Sequence, residues 1–144
     1  MLVGKKGYYL IKVIVFFAFS KKDSFSIKEI SRRLNISEKV LEQVLLSLKN
    51  KGVLTSKRGP KGGYRLLARV LDLTVLDIVK MSGQRIEILP VENIGKKQII
   101  DNVLSGMCRR VEGGIVSEFE NIKIKNLVRS LKKEIGEKGL SYNI

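Results

Sequence analysis

The stretch that decides the fold is residues 26–66, SIKEISRRLNISEKVLEQVLLSLKNKGVLTSKRGPKGGYRL. It opens with Ser26 and, three positions later, Glu29. This is the spacing of a capping box, in which each side chain bonds the backbone N–H of the other residue. Apolar residues then recur at helical spacing, which predicts a short helix that ends at Asn35. The apolar positions are Ile27, Ile30 and Leu34.

A second helix follows after a tight turn, so the pair is a helix-turn-helix. Ser37 is a good N-cap, because its hydroxyl can accept a bond from a free backbone N–H of the first turn. Gly52 is placed to end the helix, since glycine readily takes the left-handed conformation found just past helix ends. The predicted buried stripe, spaced i, i+3, i+4 and i+7, is Leu41, Val44, Leu45 and Leu48.

The opposite face of this second helix carries polar side chains. At about 100° per residue, Lys39 and Gln43 point away from the buried stripe, and Glu42 lies on the flank. Lysine suits guanine, glutamine suits adenine, and glutamate can accept a hydrogen bond from cytosine N4. These side chains are therefore candidates for reading base edges in DNA. For a helix taken alone, a solvated surface remains the alternative interpretation.

A basic β-hairpin comes next and favours DNA binding. Residues 53–56 and 64–66 are strand-like, and glycine and proline punctuate the turn between them. The glycines let the backbone approach a phosphate or enter a groove. Taken alone, the hairpin is also compatible with an ordinary surface turn, and it lacks the spacing of a P-loop. Its cationic residues are Lys57, Arg58, Lys61 and Arg65.

The flanking segments predict further helices. Residues 6–19 are apolar nearly all round, which favours a helix buried on several sides, although a strand is also compatible with them. Residues 20–25 are a polar connection. Short helices are expected over 75–81 and 123–137, with Gly136 helping to close the second.

A long helix is expected over residues 98–120, where Gly113 and Gly114 leave open a break. Its apolar residues recur at steps of three and four, which makes a stripe for another helix. A long stripe beyond a complete small domain indicates a homodimer. The stripe is Ile100, Leu104, Met107, Val111, Ile115 and Phe119.

Charge is distributed unevenly along the 144-residue chain, whose formal net charge is +14. Residues 1–69 contain 16 Lys and Arg against 4 Asp and Glu, whereas residues 70–144 contain 12 against 10. A basic half joined to a nearly neutral half suggests a part that binds nucleic acid and a part for assembly or sensing.

The composition also excludes several classes of site. The chain has no histidine, which removes His-dependent catalytic triads and His-ligated metal sites, and we expect no enzyme activity. Its one cysteine, Cys108, cannot form an internal disulfide, which fits a reducing cytoplasm. The apolar stretch 10–19 is short of the ~20 residues of a membrane span, and no secretory signal is evident. We therefore predict a cytoplasmic protein without a membrane partner.

Four stretches of the chain resemble the Rrf-two family of bacterial winged-helix regulators: KKGYYLIKVIV, SIKEISRRLNISEKVLEQVLLSLKNKGVL, SKRGPKGGYRL and LTVLDIVKMSG. The resemblance covers residues 3–83 well and is weaker beyond them. It implies a homodimer in which the long helix crosses to the partner. It also implies a recognition helix in the major groove and a wing in the minor groove of a pseudo-palindromic operator. By position, Lys39, Glu42 and Gln43 match the family's base-reading residues, and Arg58 matches its minor-groove arginine.

One departure from the family concerns its cofactor. The cluster-binding members place three cysteines between the short helix after the wing and the start of the dimer helix. Here residues 84–97 contain none, and Cys108 lies inside the predicted long helix. Cys108 and its counterpart in a second chain would leave a cluster short of ligands, so we predict no iron–sulfur cofactor. Cys108 is either a small buried core residue or a candidate redox sensor.

The sequence thus predicts a mainly α protein with a small β-hairpin wing, that is, a winged helix-turn-helix with a long C-terminal dimerisation helix. The predicted domains are residues 1–83 for DNA binding, 84–97 as a connecting segment, and 98–144 for the dimerisation and C-terminal helices. The predicted partners are double-stranded DNA and a second copy of the chain. The predicted contacts are Lys39, Glu42 and Gln43 for bases, Arg58 and Lys61 for the minor groove, and Lys57 and Arg65 for phosphates.

The predicted function is that of a sequence-specific transcription regulator, more specifically a repressor. Two alternatives stay open. One is a sequence-independent architectural protein that binds nucleic acid through its basic half. The other is a regulator controlled mainly by a partner protein, a small metabolite or the redox state of Cys108.

Overall fold

The computed structural model describes residues 3–87 and 98–138 of the chain. Within these ranges it confirms a mainly α fold with one small antiparallel hairpin. The elements in chain order are α1 (Lys5–Phe19), α2 (Ile27–Leu34), α3 (Glu38–Asn50), β1 (Leu54–Lys57), β2 (Gly63–Leu66), a 3-10 helix (Ala68–Asp72), α4 (Val75–Met81), α5 (Ile99–Asn121) and α6 (Ile124–Lys138).

Helix α1 runs through the centre of the fold, which decides between helix and strand for this segment. Leu10, Val13 and Ile14 are fully shielded from solvent. Helices α3, α4 and α6 and strand β2 all pack around it. A helix surrounded by other elements needs apolar residues on nearly all sides. Each fully buried aliphatic side chain contributes about 1.5–3 kcal/mol to the stability of the fold.

The helix-turn-helix forms as predicted. The Ser26 hydroxyl accepts from the N–H of Glu29 at 3.2 Å, and the Glu29 carboxylate accepts from the N–H of Ser26 at 3.0 Å. Asn35 ends α2 in the left-handed region at a φ of 53°. The Ser37 hydroxyl caps α3, and Gly52 follows its end at a φ of 69°. Local bonds that the sequence specifies therefore start and stop both helices.

The hairpin has a defined register and two different faces. Leu54 pairs with Leu66, and Ser56 pairs with Tyr64. Side chains directly opposite each other in a strand pair share a face, so these four point to one side, where Leu54 is buried in the core. The other face carries the alternate residues Thr55, Lys57, Gly63 and Arg65.

The expectation of a polar connection over residues 20–25 is wrong at its last residue. Phe25 is 1% exposed, and its ring packs 4.8 Å from that of Phe16, centroid to centroid. Its backbone also pairs with Tyr64 through bonds of 3.1 and 2.8 Å, which adds a third extended segment to the hairpin. Phe25 precedes the cap of α2, and Ile30, five residues later, is buried in the same core. This is the arrangement of a hydrophobic staple.

The predicted long helix is confirmed, and one detail of the last helix differs from expectation. Helix α5 continues unbroken through Gly113 and Gly114, and Gly136 lies inside α6 instead of closing it. Helix α6 packs against α1, with Ile124 and Val128 in the main core. Packing therefore groups α6 with the predicted DNA-binding segment, although it follows the dimerisation helix in the chain.

Two parts of the predicted layout lie wholly or partly outside the described residues. The connecting segment 84–97 is described only over 84–87, where residues 86 and 87 are not in a strand. The tail from residue 139 is also outside the described range. In the parts that the structure does describe, no helix combines the length and apolar character needed to cross a membrane.

Candidate nucleic-acid interface

The exposed side of α3 carries the three predicted base-reading residues. Lys39, Glu42 and Gln43 are all exposed, while Leu41 and Leu45 on the opposite side are fully buried. Capping and the buried stripe fix the helix, so these polar side chains are held at the surface as a group. Their ammonium, carboxylate and amide offer donors and acceptors of the kinds that distinguish base pairs in the major groove.

The wing is attached to the end of α3. The Lys49 ammonium of α3 donates to the Ser56 hydroxyl of β1 at 2.7 Å. The Arg69 guanidinium donates to the carbonyl of Gly52 at 2.9 Å, at the junction between helix and hairpin. Both bonds are exposed and individually weak. Together with the shared core they set the wing at a fixed position beside the recognition face.

The outer face of the hairpin gathers cations around a small cleft. The cleft has a volume of about 120 Å³. It brings Lys61 together with Lys57 and Arg65, whereas Arg58 is exposed in the loop and does not line it. The sequence predicted instead that Lys61 would act with Arg58. The lining residues are Ser24, Thr55, Lys57, Lys61, Gly63 and Arg65.

Two glycines of the wing adopt backbone conformations that favour glycine. Gly59 has a φ of 110° and Gly63 a φ of 137°. A Cβ at Gly63 would also lie 2.7 Å from the carbonyl oxygen of Phe25, whereas a Cβ at Gly59 would meet nothing within 4 Å. Gly63 therefore lets the Phe25 segment approach the hairpin, and Gly59 shapes the turn.

Sequence reasoning missed that Ser24 lines this cleft and that Phe25 pairs with the hairpin. The hydrophobic staple signal, Phe25 before the cap and Ile30 after it, could have identified Phe25 as buried. No local pattern identifies Ser24, which reaches the cleft because the neighbouring Phe25 pairs with Tyr64 across the fold.

The carboxyl of Glu29, in the first turn of α2, has a lowered pKa. A hydrogen bond from the Lys22 ammonium, at 2.6 Å, is the main cause that lowers the pKa of the Glu29 carboxyl. The N–H of Ser26 lowers it further, and partial burial opposes both effects. The charged carboxylate therefore serves both the cap of α2 and the preceding connection.

Cys108 lies in α5 and is 4% exposed. A redox-sensing thiol must be reached by its oxidant, and this burial resembles that of a structural cysteine. The redox interpretation therefore stays a prediction without geometric support.

A helix-turn-helix with an attached cationic wing defines the class: this is a winged helix-turn-helix protein. A family model described as "Rrf2: Iron-dependent Transcriptional regulator" matches residues 3–130. Because that match covers most of the chain, the protein belongs to the Rrf2 family of transcriptional regulators.

Individual relatives agree with this assignment. The chain is 33% identical over 88 residues to the HTH-type transcriptional regulator IscR of Vibrio atlanticus (strain LGP32), covering 60% of this chain and 51% of that protein. The structure of CymR, the global cysteine regulator of B. subtilis, is similar with a TM-score of 0.73 at 25% identity, covering 90% of this chain and 98% of that one. IscR of T. potens shares the fold, with a TM-score of 0.73 at 24% identity and coverages of 93% and 90%. The chain spans about half the length of the curated IscR proteins it matches.

The family description names iron, but the donors of this chain do not fit an iron–sulfur cluster. The full sequence has one cysteine and no histidine. That cysteine is buried in α5, and the described residues contain no group of three His, Cys, Asp or Glu side chains arranged to hold a metal. Clusters are held chiefly by several cysteine thiolates, which a single chain of this sequence cannot supply.

Proposed function

We propose that this protein is a sequence-specific DNA-binding repressor that acts as a homodimer on a pseudo-palindromic operator. The exposed polar face of α3 beside a cationic wing, joined to it by the Lys49–Ser56 bond, is the observation that carries the proposal. In helix-turn-helix proteins the second helix enters the major groove and presents such side chains to base edges. Repression requires only that the bound dimer occupies promoter DNA.

The side chains divide into base-reading and backbone-binding groups. Lys39, Glu42 and Gln43 read bases from α3, and Arg58 enters the minor groove from the wing loop. The cations of the outer hairpin face bind phosphates and give affinity that depends on salt. Because Lys61 lines the same cleft as Lys57 and Arg65, we assign it to the residues that bind phosphates and not to those that enter the minor groove.

Dimerisation is proposed through α5. One side of this helix exposes a row of large apolar side chains that the protomer leaves uncovered, which is the usual mark of an interface. In a homodimer the two recognition helices are related by a two-fold axis. This symmetry matches that of a palindromic operator. The exposed fractions are Ile99 85%, Ile100 60%, Val103 67%, Leu104 44%, Met107 54% and Val111 49%.

Selection of binding sites from random duplex DNA, repeated with two variants, tests the division of roles. Gln43→Ala should relax the preference at one base position per half-site and weaken the consensus site by about 1–3 kcal/mol. Lys57→Ala should weaken all sequences about equally and reduce the slope of log affinity against log salt by about one. Loss of only specific binding in both variants would refute these roles. A pool that yields no consensus would indicate a sequence-independent binder.

We also propose that the regulator works without an iron–sulfur cluster, because its donor set cannot hold one. Protein purified without oxygen should be colourless and free of iron and sulfide, and should still select a palindrome. A brown protein with stoichiometric iron would contradict this, and its ligands would then have to come from carboxylates or from an added thiol.

A further inference from the structure

A second cleft, separate from the DNA-binding face, opens where the C-terminal end of α1, the connection to α2 and the second half of α6 meet. Its volume is about 710 Å³, within the ~300–1,000 Å³ typical of small-molecule sites. None of the proposed base-reading or phosphate-binding residues lines it. The lining residues are Phe19, Ser20, Lys21, Lys22, Phe25, Arg33, Lys132 and Ile135.

The cleft concentrates positive charge from three parts of the chain. Lys21 comes from the connection, Arg33 from α2 and Lys132 from α6. Lys22 forms a salt bridge with Glu29. Within residues 3–87 and 98–138, the other three cations have no salt bridge to a carboxylate. The Glu29 carboxylate also attracts Arg33 at longer range. An anion entering the cleft would therefore meet Lys21 and Lys132 without displacing an ion pair, and would compete with Glu29 for Lys22 and Arg33.

Apolar surface lies directly beside these charges. Phe19 and Ile135 are half-buried, and Phe25, which is 1% exposed, also lines the cleft. The Lys22 ammonium and the Arg33 guanidinium lie 5.1 and 5.4 Å from the centroid of the Phe25 ring, within the range of cation–π contacts. The site therefore combines cations with an apolar wall, a pairing that suits an anion carried on an apolar body.

We propose that this cleft binds a small organic anion, a carboxylate or phosphate ester on an aromatic or aliphatic body, and that its occupancy is communicated to the wing. Phe25 makes the connection, because its ring lines the cleft while its backbone pairs with Tyr64 of β2. The preceding residue, Ser24, lines the phosphate cleft of the wing. The ligand site exists whether or not the proposed operator binding is correct, whereas the link to the wing rests on that function.

Calorimetric titration of the full chain with 1-naphthyl phosphate, 1-naphthol and inorganic phosphate tests the ligand class. We expect 1-naphthyl phosphate to bind once per chain, and the neutral naphthol and the bare phosphate each to bind at least tenfold more weakly. Equal binding of 1-naphthyl phosphate and inorganic phosphate would overturn the proposal, since the cleft would then recognise phosphate alone, as a DNA-backbone contact does.

Two matched variants on α6 locate the site. Lys132→Gln removes a lining cation and should weaken 1-naphthyl phosphate about tenfold, because the cation lies in the cleft. Lys133→Gln makes the same change one residue later, outside the lining, and should leave binding unchanged. Its exposed contact with Glu137 is long, at 3.9 Å, and contributes little to stability. Equal effects of both variants, or none from either, would show that the probe binds elsewhere.

The link to the wing is measured on the duplex that the chain selects. Saturating 1-naphthyl phosphate should change the dissociation constant for that duplex at least fivefold in the wild type, and Lys132→Gln should need about tenfold more probe for the same change. By reciprocity, the duplex should change probe affinity by the same factor. An unchanged dissociation constant would overturn the link. Probe affinity that keeps falling as the duplex concentration rises, instead of levelling off at that factor, would place DNA itself in the cleft and also overturn it.

Discussion

Glu29 connects the start of the helix-turn-helix to the segment before it. Its carboxylate accepts from the Lys22 ammonium at 2.6 Å and from the N–H of Ser26 at 3.0 Å. Both bonds favour the charged form and lower the pKa of Glu29, the Lys22 bond more strongly. The same lysine lies over the Phe25 ring, so one side chain helps to hold the cap, the connection and the cleft wall in place.

This pKa shift predicts a pH-dependent contribution to stability. Because the folded-state pKa lies below the unfolded value of 4.5, the charged carboxylate stabilises the fold above that pH. The contribution is lost as the pH falls through the folded-state pKa. Glu29→Gln should therefore unfold at lower urea than the wild type at pH 7, and the difference should shrink as the pH is lowered below 4.5. A difference that persists unchanged in acid would mean that shape, and not charge, explains the effect.

At the scale of elements, the wing depends on a third segment that is not part of the hairpin itself. The backbone of Phe25 bonds Tyr64 on the free edge of β2, and Gly63 permits that approach because it has no side chain. An isolated two-stranded hairpin is marginally stable in water. The added segment and the packing of Leu54 and Tyr64 on the core hold this wing beside α3, and the exposed Lys49–Ser56 bond contributes little.

Alanine variants of two wing glycines distinguish the cost of a positive φ from the cost of a clash with the Phe25 segment. Gly59→Ala should lose about 1–3 kcal/mol of unfolding free energy, because alanine is strained at a φ of 110°. Gly63→Ala should lose more and should release protection of the Tyr64 amide, since its Cβ would also clash with the Phe25 carbonyl. Urea unfolding and amide hydrogen exchange measure the two effects. Equal losses with the Tyr64 amide still protected would contradict the role given to Gly63.

At the scale of the whole molecule, one side of α5 packs against its own chain, and the other side is the proposed contact with a second copy. Ser105 and Cys108 are buried on the side that packs against the protomer, where α5 contacts α4. The opposite side exposes Val103 and Met107 at 67% and 54%. A partner helix covering this side would complete the apolar contacts that one chain leaves open.

A negative charge introduced on the exposed apolar side of α5 tests the dimer. Val103→Asp should give a folded monomer in sedimentation and lose affinity for a palindromic site, because a carboxylate would be buried in the interface. Asn102→Asp adds the same charge to an exposed residue about 100° away around α5 and should remain a dimer. Unchanged far-UV dichroism in both variants would separate dissociation from unfolding. A Val103→Asp chain that stays dimeric would remove α5 from the interface.

Features that depend on neighbours within a few residues were predictable from the sequence. The Ser26–Glu29 capping box and the end of α3 at Gly52 both form as their local patterns predict. The buried stripe of α3 forms for the same reason, and its opposite face presents Lys39 and Gln43 to solvent. Helical spacing and side-chain caps act over one or two turns, so the sequence by itself determined these elements and the exposed polar face of α3.

Features that depend on distant contacts were decided only by the tertiary structure. Phe25 joins the wing because the fold places Tyr64 of the hairpin beside it, and Lys61 of the hairpin loop lines the same cleft as Lys57 and Arg65. Helix α6 returns to α1 and contributes Lys132 to a cleft whose other cations precede it by about a hundred positions. No local pattern encodes which surfaces meet, since that choice follows from how the apolar faces of all the helices can be buried together.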